Sequence, residues 1–302
     1  MFCSICGERN ITDAIKSKDF NRGIDNNAFS YYRCLCCHSY FLYPTPHNIS
    51  FYYHGAYPAY KHTSNKSNQV DLESDKLRLI KKYKKRGKLI EVGPAAGAFM
   101  RVASEADFKV TGIEMDESCC KYISQSMGLN VVNSSSPARE LRLQEDVDVC
   151  VAFHVIEHLE CLPEFLEAAS SSLSRKGILV LSSPNPESLS FRVFKKYWVH
   201  LDAPRHLSLV SIVALDSLMG RYGMVRIGLH QNDRVGCLIS AAGWKDSLVN
   251  ICRGTKPPFR WIARLGPVLS FLMLPFDRIS GLGGSYTAIY SFKSSQKDLV
   301  GQ

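Results

Sequence analysis

Residues 89–114 read LIEVGPAAGAFMRVASEADFKVTGIE. An apolar run, Lys88 to Val92, ends in a glycine-punctuated turn, Gly93-Pro94-Ala95-Ala96-Gly97. A helical pattern follows from about Ala98 to Ala106, and a second apolar run, Lys109–Glu114, ends on an acid. The stretch predicts a strand, a tight turn, a helix and a second strand with a carboxylate at its C-terminal tip. A parallel sheet holds a nucleoside-bearing ligand at its carboxyl edge in this way.

The same alternation repeats on either side of this stretch. A helix is expected near Glu117–Met127, a short strand at Asn130–Val132 and a strand at Val147–Phe153. A helix at Pro163–Leu173 and a strand at Gly177–Ser182 follow. Leu209–Tyr222 has helical spacing, Met224–Leu229 reads as a strand, and Tyr286–Phe292 as the last strand, antiparallel at the sheet edge. Repeated strand–helix units imply an α/β fold, a Rossmann-like seven-stranded sheet covered on both faces. Upstream, Asp71–Tyr83 has helical spacing through Leu72, Leu77, Leu79 and Ile80, and runs into the basic stretch KKYKKRGK at 81–88, which reads as a solvated helix end.

The glycine turn departs from the dinucleotide signature. Glu91 stands two residues before Gly93, and a pyrophosphate would be repelled by a carboxylate inside its loop. Glu114 follows about 20 residues on, where an acid takes ribose hydroxyls. S-adenosylmethionine has no phosphate, carries a sulfonium and an ammonium, and offers a ribose diol. Two acids flanking a glycine turn match it chemically.

The chain has 302 residues, of which 45% are apolar, and a formal charge of +9. It has room for one large domain with small additions. The charge suits an anionic substrate or an anionic membrane surface. No run of 18 apolar residues suggests a spanning helix, and MFCSICGERN does not resemble a secretory leader. A cytoplasmic protein is expected, peripheral at most to the inner face of a membrane. Eleven cysteines in such a compartment do not read as a disulfide framework.

Four of them are paired. Cys3-Ser-Ile-Cys6 and Cys34-Leu-Cys36-Cys37 form CxxC…CxxC, the spacing of a tetrahedral Zn²⁺ site at Cys3, Cys6, Cys34 and Cys37. Four thiolates leave no open position, so the zinc would be structural. The alternative is four free thiols in a ribbon that has lost its metal. Few basic residues lie between the knuckles, a weak footprint for nucleic acid.

Here the residues resemble a family, the class I S-adenosylmethionine-dependent methyltransferases. The likeness is greatest to bacterial members with an N-terminal CxxC…CxxC ribbon, associated with glycan and natural-product pathways. The family's acid-x-Gly-x-Gly-x-Gly motif appears as Glu91-Val-Gly93-Pro-Ala95-Ala-Gly97, with alanine for the middle glycine. If that position needs positive φ, Ala95 carries a cost. The resemblance implies that Glu114 binds ribose and that Met115 flanks adenine. It implies that Asn133 or a following serine replaces the usual adenine-reading acid, and that Phe153 and His154 flank the methyl donor. His158 reads as a structural histidine that satisfies a carbonyl. The implied organisation is a ribbon at 1–45, a connector and helix at 46–85, and the cofactor-binding domain at 86–302 with an apolar insertion at about 236–284.

Tyr197–Leu207 resembles the family's Trp…Asp-x-Pro-Arg-His segment over the active-site mouth. A hydroxyl acceptor benefits from a base, and histidine titrates near neutrality. His206 is the first choice and His200 the second, with Arg205 able to hold an anionic group bidentately. Arg205 pairing with Asp202 is the competing reading. The expected reaction is methyl transfer to an oxygen, less readily a carbon, of a sugar-containing or other small metabolite or glycan, anionic or lipid-linked. An RNA or protein methyltransferase that grips polymer with its ribbon, and an inactive cofactor-binding scaffold, are the rivals. The apolar run at 261–276 suits a lid, a dimer surface, a buried helix or a peripheral membrane contact.

Overall fold

The computed structural model describes residues 1–53, 66–231, 233–253 and 257–293. Of the expected connector, residues 54–65 lie outside the described residues, as do residues 294–302, and from Lys66 the chain is helical.

The N-terminal module has strands β1 (Ile11–Ser17), β2 (Phe29–Cys34) and β3 (Tyr40–Leu42). The main domain follows as α1 (Lys66–Lys81), β4 (Gly87–Val92), α2 (Ala98–Ser104), β5 (Phe108–Glu114), α3 (Glu117–Met127) and β6 (Asn130–Asn133). Then come α4 (Pro137–Arg142), β7 (Val147–Phe153), α5 (Leu162–Ser172), β8 (Leu173–Pro184), α6 (Leu189–Phe194), β9 (Ser208–Leu209) and α7 (Ile212–Arg221). The chain ends with β10 (Met224–His230), α8 (Arg234–Arg253), α9 (Gly266–Asp277) and β11 (Ser285–Phe292).

The main sheet has seven strands in the order β10-β11-β8-β7-β4-β5-β6. β11 runs antiparallel to both neighbours, and the β8-β7-β4-β5-β6 ladder is parallel. The last strand is therefore antiparallel as expected, but it is not at the edge. It inserts between β8 and β10, and its Tyr286, Ala288, Ile289 and Tyr290 are buried. A strand bonded on both sides and covered on both faces carries such a continuous apolar run.

Two apolar layers cover the sheet. Leu162, Phe165 and Leu166 of α5 pack with Leu215 and Leu218 of α7 on one face. Leu77 and Ile80 of α1 pack with Phe99 and Met100 of α2 and Ile123 of α3 on the other. A third cluster joins the N-terminal module to Phe191, Phe194, Trp198 and Trp244.

That module is built into the domain. β3 pairs with β9, so its four-stranded sheet takes its last strand from residues 208–209. Ser17 Oγ donates to the Lys196 carbonyl (2.6 Å) and Tyr31 Oη to that of His206 (2.8 Å). The described residues of the apolar insertion are mostly helical. α8 packs on α9, the indole of Trp244 donates to Asp277 (2.8 Å), and Ser270 Oγ donates to Ala241 O (2.9 Å). Among the described residues no helix is long and apolar enough to cross a membrane.

Candidate active site and cofactor cleft

A cavity of about 1120 Å³ opens at the carboxyl ends of β4, β5 and β7. One end is the turn after β4. Gly93 (φ 69°) and Gly97 (φ 74°) are left-handed, and so is Ala95 (φ 49°), so the middle position does carry the expected cost. Glycine takes this conformation freely, whereas an L-residue there costs about 1–2 kcal/mol. A Cβ on Gly93 would stand 2.6 Å from Val155 Cγ2, so that position also needs the missing side chain.

Glu114 Oε2 accepts from Ala95 N and Oε1 from Asp116 N, both at 2.9 Å. The carboxylate thus braces the turn while it lines the cavity. Burial raises its pKa against those amide hydrogen bonds. Gly93, Ala95, Glu114, Met115, Phe153 and His154 all lie on the cavity wall, as does Val92. Gly97 caps α2 behind the turn.

Glu91 and Asn133 are placed differently from the expectation. Successive strand residues face opposite sides, so Val92 reaches the cavity and Glu91 turns toward α1. There burial and the Glu73 carboxylate push it up to about 8, against Lys76. Asn133 Nδ2 donates to the carbonyls of Glu114 and Met115 (both 3.1 Å) and ties the loop together. Ser134, Ser135 and Ser136 form the wall instead.

The other end of the cavity is polar. His154 directly follows β7 in a left-handed conformation (φ 55°), and its Nδ1 lies 3.4 Å from Glu157 Oε1. Strain of this kind collects at functional sites. Burial alone would raise Glu157, but His154, His206 and His158 around it reverse the sign and hold it at about 2. His158 and His206 meet edge to face with ring centroids 4.6 Å apart. Asn21, Arg22 and Tyr53 from the N-terminal part, and Ile239, Asn250 and Arg253 from α8, close the walls. No local motif marks these residues, because they become neighbours of the cleft only in the folded chain.

The three residues expected to be catalytic do different things here. Burial and His158 push His206 down to about 4, so it is a weak base at neutral pH, although it lines the cavity. Burial likewise pushes His200 down to about 4, and its Nε2–H donates to the Ile239 carbonyl (2.8 Å), anchoring α8.

Arg205 is wholly buried. Its Nε and Nη2 donate to Asp202 (2.9 and 2.7 Å), and Nη2 and Nη1 donate to Asp19 (2.6 and 3.2 Å). Two carboxylates occupy the fork that was expected to hold a substrate anion. Asp202 was foreseen as a partner, and Asp19, 186 residues away, was not.

The four paired cysteines converge. Cys3 Sγ lies 3.7 Å from Cys37 Sγ, and Cys6 Sγ lies 3.6 Å from Cys34 Sγ. A tetrahedral zinc with Zn–S near 2.3 Å sets sulfurs about 3.8 Å apart. The group could hold a metal ion. Cys36, beside them in the second knuckle, is exposed.

The sequence matches a family described as a methyltransferase domain over residues 65–226, more than half of the chain. The chain belongs to this methyltransferase family. Its seven-stranded sheet carries the fold of solved S-adenosylmethionine-dependent methyltransferases. An S-adenosylmethionine-dependent methyltransferase from Archaeoglobus fulgidus superposes with a TM-score of 0.50 at 20% identity, over 74% of this chain and 93% of that one. The protein PH0226 from Pyrococcus horikoshii OT3 does so with 0.50 at 14%, over 80% and 98%. At these identities the likeness concerns the fold. No curated protein matches the sequence.

Proposed function

We propose that this methyltransferase acts on an oxygen, less readily a carbon, of a sugar-containing or other small metabolite. One observation carries the reading. A single cavity has a glycine turn and Glu114 at one end, and imidazoles, a carboxylate and amides at the other. In this reading Glu114 takes the ribose diol, Met115 flanks adenine, and the Gly93–Gly97 turn receives the methionine moiety. The sulfonium methyl then faces His154. Methyl transfer is an in-line displacement, so catalysis is mostly positioning. A polar wall suits an acceptor that presents hydroxyls.

The N-terminal module supports a small acceptor over a polymer. Its hydrogen bonds to residues 196–211 face inward, and Asn21 and Arg22 are part of the cavity wall. A polymer-gripping ribbon would keep that edge for its ligand. We propose a structural Zn²⁺ on Cys3, Cys6, Cys34 and Cys37, which steadies that wall. In this reading the reaction takes place in the cytoplasm.

The test is a screen with isotopically labelled methyl donor against nucleotide sugars, lipid-linked glycans, small phenols and RNA. Label in a hydroxyl-bearing small molecule or glycan is expected. Label in RNA or protein alone, or cofactor binding without any transfer, would overturn the proposal.

A further inference from the structure

We propose that Glu157, His158 and His206 form a second metal centre, a two-histidine, one-carboxylate site for a divalent first-row transition cation at the acceptor end of the cavity. One ring nitrogen of each histidine and one carboxylate oxygen lie within 4.8 Å of one another. Glu157 is wholly buried, and neither of its carboxylate oxygens has a hydrogen-bond partner. A buried acceptor left unpaired is destabilising, and a charged one more so.

The histidines are already set as electron-pair donors. His206 Nδ1 faces the His200 carbonyl at 2.7 Å. His158 Nδ1 faces the Arg205 carbonyl at 3.0 Å and the Tyr53 hydroxyl at 2.8 Å, and that hydroxyl itself donates to the same carbonyl. Carbonyl oxygens only accept, so Nδ1 carries the proton in both rings and Nε2 is left with its lone pair. Imidazoles anchored through the other nitrogen in this way orient metal-bound histidines. Three electron-pair donors thus converge, with His154 Nδ1 3.4 Å from Glu157 Oε1 on their outer side, and a cation is their natural complement. Two nitrogens and one oxygen suit zinc, manganese, iron or cobalt, whereas magnesium prefers oxygen ligands alone. Three protein ligands leave positions open toward the cavity.

The role of this centre rests on the proposed function. The cation would hold an acceptor hydroxyl and weaken its hold on its proton, which passes to water or His154. The oxygen then attacks the sulfonium methyl. The O–C bond forms as the S–C bond breaks, the electron pair stays on sulfur, and S-adenosylhomocysteine leaves.

The test titrates the full-length, metal-stripped protein with Co²⁺, because thiolate-bound cobalt shows strong sulfur-to-metal charge transfer and nitrogen- and oxygen-bound cobalt does not. One equivalent without charge transfer is expected in the parent. It should weaken at least tenfold in Glu157→Gln and in His206→Ala, while the cysteine-site spectrum persists and reports folding. The proposal is overturned if every cobalt in the parent shows thiolate transitions, or if both variants bind as much as the parent. Methyl transfer by a protein lacking this equivalent would leave the proposed function standing and remove the metal centre alone.

A separate observation concerns α9. Val268, Phe271, Leu272 and Phe276 share one outward face, with Phe271 76% and Leu272 59% exposed. Trp261 and Leu265, in the 3-10 segment before it, are exposed too. Leu269 and Met273 turn inward. The only acid of residues 257–281, Asp277, is buried, whereas Arg264 and Arg278 are exposed. We infer that this face docks on an anionic lipid surface. Apolar rings with cationic neighbours are the signature of an interfacial helix, and a two-fold contact between copies would set like charges together.

Co-sedimentation with phosphatidylcholine vesicles, with and without phosphatidylglycerol, tests it. Binding to the anionic vesicles is expected, reduced at least tenfold in Phe271→Glu/Leu272→Glu. No binding to anionic vesicles, or a dimer in ultracentrifugation that the double variant dissolves, would overturn the inference.

Discussion

Replacing Arg205 by methionine separates a structural arginine from a substrate-binding one. The guanidinium makes four hydrogen bonds of 3.2 Å or less to two carboxylates whose side chains are 0% (Asp19) and 13% (Asp202) exposed. Methionine fills similar volume but leaves both acids without their shared cation. Breaking a buried ion pair from one side costs about 3–5 kcal/mol, a large part of a typical stability of about 5–15 kcal/mol. With a urea slope of about 2–3 kcal/mol per molar, the midpoint should fall by roughly 1–2 M. Intrinsic fluorescence reports it, because Trp198 and Trp244 are buried beside the module.

Pairing Arg205→Met with Asp19→Asn should recover part of the loss. Arg205→Lys should recover little, since an ammonium cannot serve both carboxylates through a planar fork. The acid limb gives a second reading. Burial would raise the Asp202 carboxyl, but Arg205 outweighs it and holds it below the usual range. That contribution is present above the ordinary aspartate pKa of about 4 and is lost as pH falls below it. The variant should therefore show a shallower acid loss. A midpoint shift below about 0.5 M, together with a strong loss of acceptor binding, would refute the reasoning and return Arg205 to the substrate.

Glu114→Ala should weaken S-adenosylmethionine binding by roughly tenfold to a hundredfold, the range of hydrogen bonds to a charged group, measured by calorimetry. Ala95→Gly should relieve the left-handed alanine and raise stability by up to about 1 kcal/mol, read from urea midpoints. Glu91 has its folded-state pKa raised to about 8. The folded chain then holds a proton that the unfolded chain releases, so the ligand-free enzyme should lose stability as pH rises from about 4.5 to 8. Glu91→Gln should flatten that slope in thermal melts. Removing metal from the four-cysteine site with a chelator should lower the melting temperature and loosen the module, as seen by hydrogen exchange of β1–β3.

Local signals were strong where one face of an element is buried. The apolar run at Val147–Phe153 and the amphipathic Glu117–Met127 appear in the structure with the same bounds. The turn and Glu114 were legible because glycine spacing and an acid at a strand end are both written locally. Lateral order is not. β11 sits inside the sheet because β10 leaves a slot that only the folded chain defines, and β9 completes the small sheet across more than 150 residues. The site was half legible for the same reason. Strand alternation sends Glu91 to the far face of the sheet, while Asp19 and the α8 residues come from distant parts of the chain. Burial then lowers the basicity of His206, which sequence alone could assign only its ordinary value.

The most direct measurement is a crystal structure of the full chain with S-adenosylhomocysteine. The ribose diol is expected on Glu114, the amino-acid end over Gly93–Gly97, and the sulfur facing His154 and the Glu157–His158–His206 wall. Product bound away from this cavity, or with its ribose out of reach of Glu114, would contradict it.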